Sequence, residues 1–206
     1  MIDQKKFCEK LGSLSLAKSF LGREYLTWLW WLAETRGHAL EISSSESEQT
    51  WLVDLWIDDR ILLQSWDLRG HENLLRGGDP SHSPEAAASL CDGKVVREIR
   101  LGLRVAAVGD YSCTLKSTTL SPSGLRLPCD HPGAAEQEGM DESATDAIIS
   151  ARLQYCDIFL EITDALFAWF MKERSADDWE ERGLSQIRSW IAGRGKNSTG
   201  DWSALH

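Results

Sequence analysis

No stretch of this chain approaches the roughly 20 consecutive apolar residues that a membrane-spanning helix needs. Its densest apolar part runs only from Tyr25 to Ala33. The N-terminal MIDQKKFCEKLG carries lysines with no apolar block behind them, so it does not read as a secretory signal. Five cysteines (Cys8, Cys91, Cys113, Cys129, Cys156) contain no CxxC pair and leave an odd thiol in any disulfide scheme. That usage fits a reducing cytoplasm and free structural thiols. Enzyme signatures are missing as well. His38, His71, His82, His131 and His206 fall in loops or the tail, with no HExxH, no histidine pair at helical spacing and no G-x-S-x-G elbow. No catalytic constellation, metal site or cofactor motif is expected.

Positive charge is also scarce, with 22 Lys and Arg against 32 Asp and Glu and a formal net charge of −10. On its face that balance argues against a nucleic-acid partner. One segment departs from it: between Lys94 and Arg126 the chain holds Lys94, Arg97, Arg100, Arg104, Lys116 and Arg126 against only Glu98 and Asp110. A basic island on an acidic protein is either an anion-binding face or an internal ion-pairing surface, and charge alone favours the second.

What the chain has in abundance is tryptophan, ten in 206 residues. The stretch FLGREYLTWLWW (Phe20 to Trp31) predicts a helix over Leu21 to Thr35 that is apolar nearly all round and therefore buried, stopped by Gly37. TWLVDLWIDDRILLQSW reads as a β-hairpin turning at Asp58-Asp59, with Ile61 to Trp66 as the returning strand. Trp51, Val53, Leu55 and Ile57 alternate in it with Leu52, Asp54 and Trp56. Ser83-Pro84-Glu85 opens a short helix that ends at Gly93. A long strand follows over Lys94 to Val108, with Ile99, Leu101, Leu103 and Val105 on one face and Arg100 and Arg104 on the other; Arg97 has the opposite parity. Gly109-Asp110 then turns the chain into YSCTLKSTTL, and SGLRLP makes a further short strand. Residues 148–172 predict an amphipathic helix whose apolar face includes Ile148, Leu153, Cys156, Phe159, Leu160, Leu166 and Phe170. A last helix opens at Asp177-Asp178.

The order of elements predicts an α+β fold: antiparallel β-hairpins packed on a buried N-terminal helix, with C-terminal helices. The expected division is a polar segment over 1–19 (a short helix at Gln4 to Lys10), a core over 20–128, an acidic linker over 129–145, a helical segment over 146–192 and a disordered tail over 193–206. Two motifs carry weaker signals. Asp54, Asp58, Asp59 and Asp67 could hold a nuclease-type metal, but turn and solvent-facing roles explain them better. RGGDP is glycine-rich but lacks the lysine and Ser/Thr of a phosphate-binding loop. The tryptophans, Trp56 among them, sit in periodic apolar patterns where core packing is the default.

FLGREYLTWLWW, VDLWIDDRILL, LLRGGDPSHSPEAAASLCDGKVVREIRLGLRV and YSCTLKSTTLSPSGLRLP, with the closing LFAWFMKER and WEERGLSQIRSWI, resemble the C-terminal half of the RdgC family of recombination-associated proteins. The resemblance covers about residues 20 to 192. It implies a non-enzymatic protein that binds double-stranded DNA without regard to sequence, in the cytoplasm on the nucleoid. Members are ring-shaped dimers that encircle duplex DNA and restrain recombinase. It would give Lys94, Arg100, Arg104, Lys116 and Arg126 a DNA-facing role, and it implies a homodimer and no membrane. The family's N-terminal half has no counterpart here, so the alternative is an adaptor subunit of a nucleic-acid-processing or defence complex, with a protein partner in place of that half and no DNA binding of its own.

Overall fold

The computed structural model describes residues 21–44, 49–65, 72–128 and 142–198, with side chains between 145 and 194 in the last stretch. The polar segment 1–19, residues 129–141 of the expected linker, Asp67, and residues 199–206 of the tail lie outside the described residues.

The fold is α+β. Helix α1 spans residues 21–36, and strands β1 (Leu40–Ser43), β2 (Thr50–Gln64) and β3 (Glu72–Arg76) follow. A 3₁₀ turn (Pro80–His82) leads into α2 (Pro84–Cys91), then β4 (Val95–Val105), β5 (Gly109–Lys116) and β6 (Ser123–Arg126). Helix α3 (Glu142–Arg174), a π-helical turn (Trp179–Leu184) and α4 (Ser185–Ser198) close the chain. All strand pairs are antiparallel, in the order β1-β2-β4-β5-β6, with β3 pairing the second half of β2.

Helix α1 is buried as its all-round apolar pattern requires. Leu26, Trp28, Leu29, Trp30 and Leu32 are fully enclosed, and each such side chain contributes roughly 1.5–3 kcal/mol of burial. It lies between the sheet face formed by Val53, Leu55, Ile57, Ile61, Ile99, Leu101, Leu103, Tyr111 and Cys113 and the helices α3 and α4, all in one core. Tyr25 and Trp28 pack on Phe170 of α3, and Trp30 meets Trp190 of α4 edge-on. Gly37 ends α1 where a Cβ would strike the Ala33 and Leu55 carbonyls. Ser83 caps α2, its hydroxyl accepting from the Ala86 amide.

Several expectations are corrected. The chain does not turn at Asp58-Asp59. Strand β2 runs on through Gln64, with Asp58 to Arg60 bulged opposite Arg100, so Ile61 to Gln64 continue β2 and the returning strand is β3; Trp66 lies outside the described residues. The two aspartates tolerate a mid-sheet position because Arg100 on the next strand takes both carboxylates. Strand β4 stops at Val105, and the turn is Ala106 to Val108, with Ala107 at φ 64°. Residues 193–198 belong to α4, because Arg194 is locked onto Glu34, Trp30 and Trp190. Helix α3 begins at Glu142 and outruns the core. Its first half is exposed, including Ile148, Ile149 and Leu153, while Phe159, Ile162, Leu166 and Phe170 are buried. No helix among the described residues is long and apolar enough to cross a membrane.

Candidate nucleic-acid interface

Strand alternation fixes which side chains meet solvent. With Val53, Leu55 and Ile57 directed at the helices, Asp54, Trp56 and Asp58 take the opposite face of β2. In register with them stand Arg104, Gly102 and Arg100 on β4, and Asp110, Ser112 and Thr114 on β5. Trp56, Gly102, Ser112 and Arg126 make one row across four strands. No helix among the described residues packs on this face, and it is where the basic island comes to lie.

Trp56 is therefore not a core residue, contrary to the expectation from its apolar neighbours. It is half-buried and rests on Gly102, where a Cβ would fall 2.1 Å from its Cε2. Its parity with Asp54 and Asp58 is the signal in the sequence that places it there.

Most of the arginines of the island are engaged. Arg100, only 16 % exposed, donates from Nε to Asp58 at 3.1 Å and from Nη2 to Ser112 Oγ at 2.9 Å, with Asp59 at 3.6 Å. Arg104 makes a two-pronged pair with Asp110, Nε to Oδ1 at 2.6 Å and Nη2 to Oδ2 at 2.9 Å. These bonds raise the Arg104 guanidinium's affinity for its proton and hold the Asp110 carboxyl below the usual carboxylate range. That pair is 60 % and 55 % exposed, so it is solvated and open to competition by another anion. Arg97 sits at a bulge, donates to Gln64 Oε1 at 2.6 Å and lies 3.9 Å from Glu72. Arg97 thus ties β4 to the β2–β3 end, in keeping with its opposite parity.

Lys116 and Arg126 are exposed, and no ion pair reaches either among the described residues. Lys116 stands opposite Glu98 in register, and Arg126 lies on the β6 edge beside Ser112. Lys94 lies apart, in the turn from α2 to β4, its amide bonded to the Ser89 carbonyl. The structure thus brings Arg100, Arg104, Lys116 and Arg126 to one face and leaves Lys94 at its corner.

Asp58, Asp59 and Asp110 of that face are the arginines' partners. Asp54 accepts from the Ala39 amide at 2.9 Å, Asp58 and Asp59 face Arg100, and no group of three His, Cys, Asp or Glu side chains suited to a metal occurs among the described residues. His82 shares a cluster with Asp79 and Ser81, but both partners use its Nδ1 (2.8 and 3.1 Å). A nucleophile–base–acid relay needs the two ring nitrogens on different partners. Asp79 instead caps the 3₁₀ turn, and the bond from His82 holds its carboxyl below the usual range.

No known family model matches this chain, and no curated protein is similar to it at a significant level.

Proposed function

We propose that this chain is a non-enzymatic, RdgC-like protein that binds double-stranded DNA without sequence preference, through the face of its sheet opposite helix α1. The observation that carries the reading is Trp56 resting on Gly102 in a row that ends at Arg126, with Arg104 and Lys116 on the same face. An indole bordered by cations is a surface against which a sugar–phosphate strand can lie. Phosphate contacts position such a strand and carry no sequence information. Arg104, Lys116 and Arg126 are the working cations. A phosphate need only displace one solvated carboxylate from Arg104, whereas Arg100 is committed to two carboxylates and a hydroxyl and serves to hold the β2 bulge. On this reading the protein acts in the cytoplasm on the nucleoid, as a homodimer, and needs no cofactor.

The test is mobility shift with duplexes of unrelated sequence over a salt series. Wild type should retard all of them alike and lose affinity as salt rises, because each neutralised phosphate releases counterions. Arg104→Glu/Arg126→Glu should abolish retardation with an unchanged circular dichroism spectrum. No retardation at low salt would end the DNA reading.

A second reading, an adaptor that binds a protein partner, rests on α3. Ile148, Ile149 and Leu153 in its first half and Leu160 just beyond are exposed, an apolar edge of the kind interfaces use. If DNA is not bound, that edge becomes the surface to mutate.

A further inference from the structure

The glycine-rich RGGDP motif has no part in the sheet-face reading, yet it closes one side of a depression of about 460 Å³ lined by Asp59, Arg60, Arg76, Gly77, Gly78 and Arg100. We infer that this depression is a binding site for a phosphate monoester group. The inference stands whether or not the sheet face holds DNA.

Three guanidiniums reach the depression from three adjacent strands. Arg60 on β2 and Arg76 on β3 are direct cross-strand neighbours. Like charges so placed repel and destabilise a sheet unless an anion sits between them. Among the described residues Arg60 has one carboxylate partner, Glu98, at 3.1 Å, and its Nε is buried with no hydrogen-bond partner. A buried donor left unsatisfied is costly, while the Arg60 side chain as a whole stays 37 % exposed where it lines the depression. Arg76 is exposed, with no ion pair to any described residue. Arg100 closes the third side, its Nε turned to Asp58 and Asp59 and its Nη2 to Ser112.

The glycines shape the loop at the mouth. Gly77 has φ 144°, a conformation that side chains rarely adopt, and its amide is tied to the Asp59 carbonyl at 3.2 Å. A Cβ at either Gly77 or Gly78 would meet nothing within 4 Å, so no neighbouring group crowds this side of the opening. The facing charges are Arg60, Arg76 and Arg100 against Asp59, with Glu98 and Asp58 holding two of the arginines from the side. Asp59 is 65 % exposed and is the group a ligand must outcompete. Planar guanidiniums present paired donors to tetrahedral oxyanions, so a phosphate with several free oxygens fits better than a single carboxylate. The donors are guanidiniums rather than the lysine and backbone cradle of a nucleotide-binding loop, which is why the motif does not match that pattern.

Two phosphates share this chemistry: a small phosphorylated compound and the 5′-phosphorylated end of a DNA strand. The first experiment is thermal melting in inorganic phosphate against chloride at matched ionic strength, for wild type and Arg76→Gln. In chloride, Arg76→Gln should melt at the wild-type temperature or above it, since it relieves repulsion and removes no partner. In phosphate, the wild type should gain several degrees that Arg76→Gln does not. The second experiment compares a 5′-phosphorylated oligonucleotide with its 5′-hydroxyl counterpart by fluorescence anisotropy. A several-fold preference for the phosphorylated end, lost in Arg76→Gln, assigns the DNA end. Equal binding of the two, with the melting effect retained, assigns a small phosphorylated compound, and the site stands in both cases. A wild-type melting point no higher in phosphate than in chloride, or an equal gain in Arg76→Gln, overturns the inference. Loss of oligonucleotide binding alone bears only on the sheet-face reading.

Discussion

Trp56 and Gly102 are a single unit: the indole occupies the space that any side chain at 102 would fill, with Cε2 and Nε1 2.1 and 2.3 Å from the position of a Cβ there. Gly102→Ala should therefore push Trp56 off the sheet while leaving every charge in place. The overpacking should cost about 1–3 kcal/mol in chemical denaturation, within the usual range for inserting a methyl into a packed site. DNA affinity should fall as far as it does in Trp56→Ala. If Gly102→Ala binds as wild type does, the indole has no part in binding.

Asp110 competes with phosphate for Arg104, so Asp110→Asn should strengthen DNA binding and steepen its salt dependence. The pH dependence has a definite sign. The folded carboxyl is held below its ordinary value, so the pair's contribution is complete above the unfolded value of about 4 and is lost as pH falls through the lower folded value. Acid titration of Asp110 by NMR should show the depressed midpoint in wild type and its return towards the ordinary value in Arg104→Gln.

The helical layer was legible in the sequence because its signals are local. The density of apolar residues from Leu21 to Leu32, the stop at Gly37 and the Ser83-Pro84 cap each act within one or two turns. The sheet face was legible only in part. Arg100 and Arg104 alternate as expected, but their partners were not apparent. Asp58 is 42 residues from Arg100, and without that pairing an Asp-Asp step reads as a turn. Asp110 reaches Arg104 only because the turn falls at Ala106 to Val108 rather than at Gly109-Asp110. Trp56 differs from its sequence reading for another reason: the apolar run around it masks its parity with Asp54 and Asp58. The first half of α3 has the periodicity of a buried helix, and periodicity cannot say where the surface it packs on ends.

Burial separates the thiols. Cys113 lies fully enclosed beneath the helices, and burial pushes its thiol up to about 12, with Arg100 opposing that shift. Cys91 is exposed. Since the thiolate is the reactive species, iodoacetamide at neutral pH should alkylate Cys91 in the native protein and reach Cys113 only after unfolding. Peptide mapping by mass spectrometry, with and without denaturant, decides this. Native labelling of Cys113 would mean that the sheet–helix core opens readily.

The Glu34 carboxylate joins α1 to α4. Oε1 accepts from Trp30 Nε1 at 2.6 Å and from Arg194 at 2.9 Å, while Oε2 accepts from Trp190 Nε1 at 3.0 Å. Arg194 lies over both indoles, about 5 Å from each ring, and also donates to the Ser81 carbonyl. Both charged side chains are only 11 % exposed. Removing one member of a buried ion pair strands the other, at a cost of about 3–5 kcal/mol, so Glu34→Ala and Arg194→Ala should each destabilise the fold by that order. The double variant should lose much less than the sum of the two, because neither charge is then left unpaired. Urea denaturation of the three variants measures the coupling. Strict additivity would show that the two residues stabilise α4 independently. The destabilised single variants should also free the end of α4 first, since Arg194 is what holds residues 193–198 in the helix. Hydrogen exchange in α4 should then rise ahead of exchange in α1.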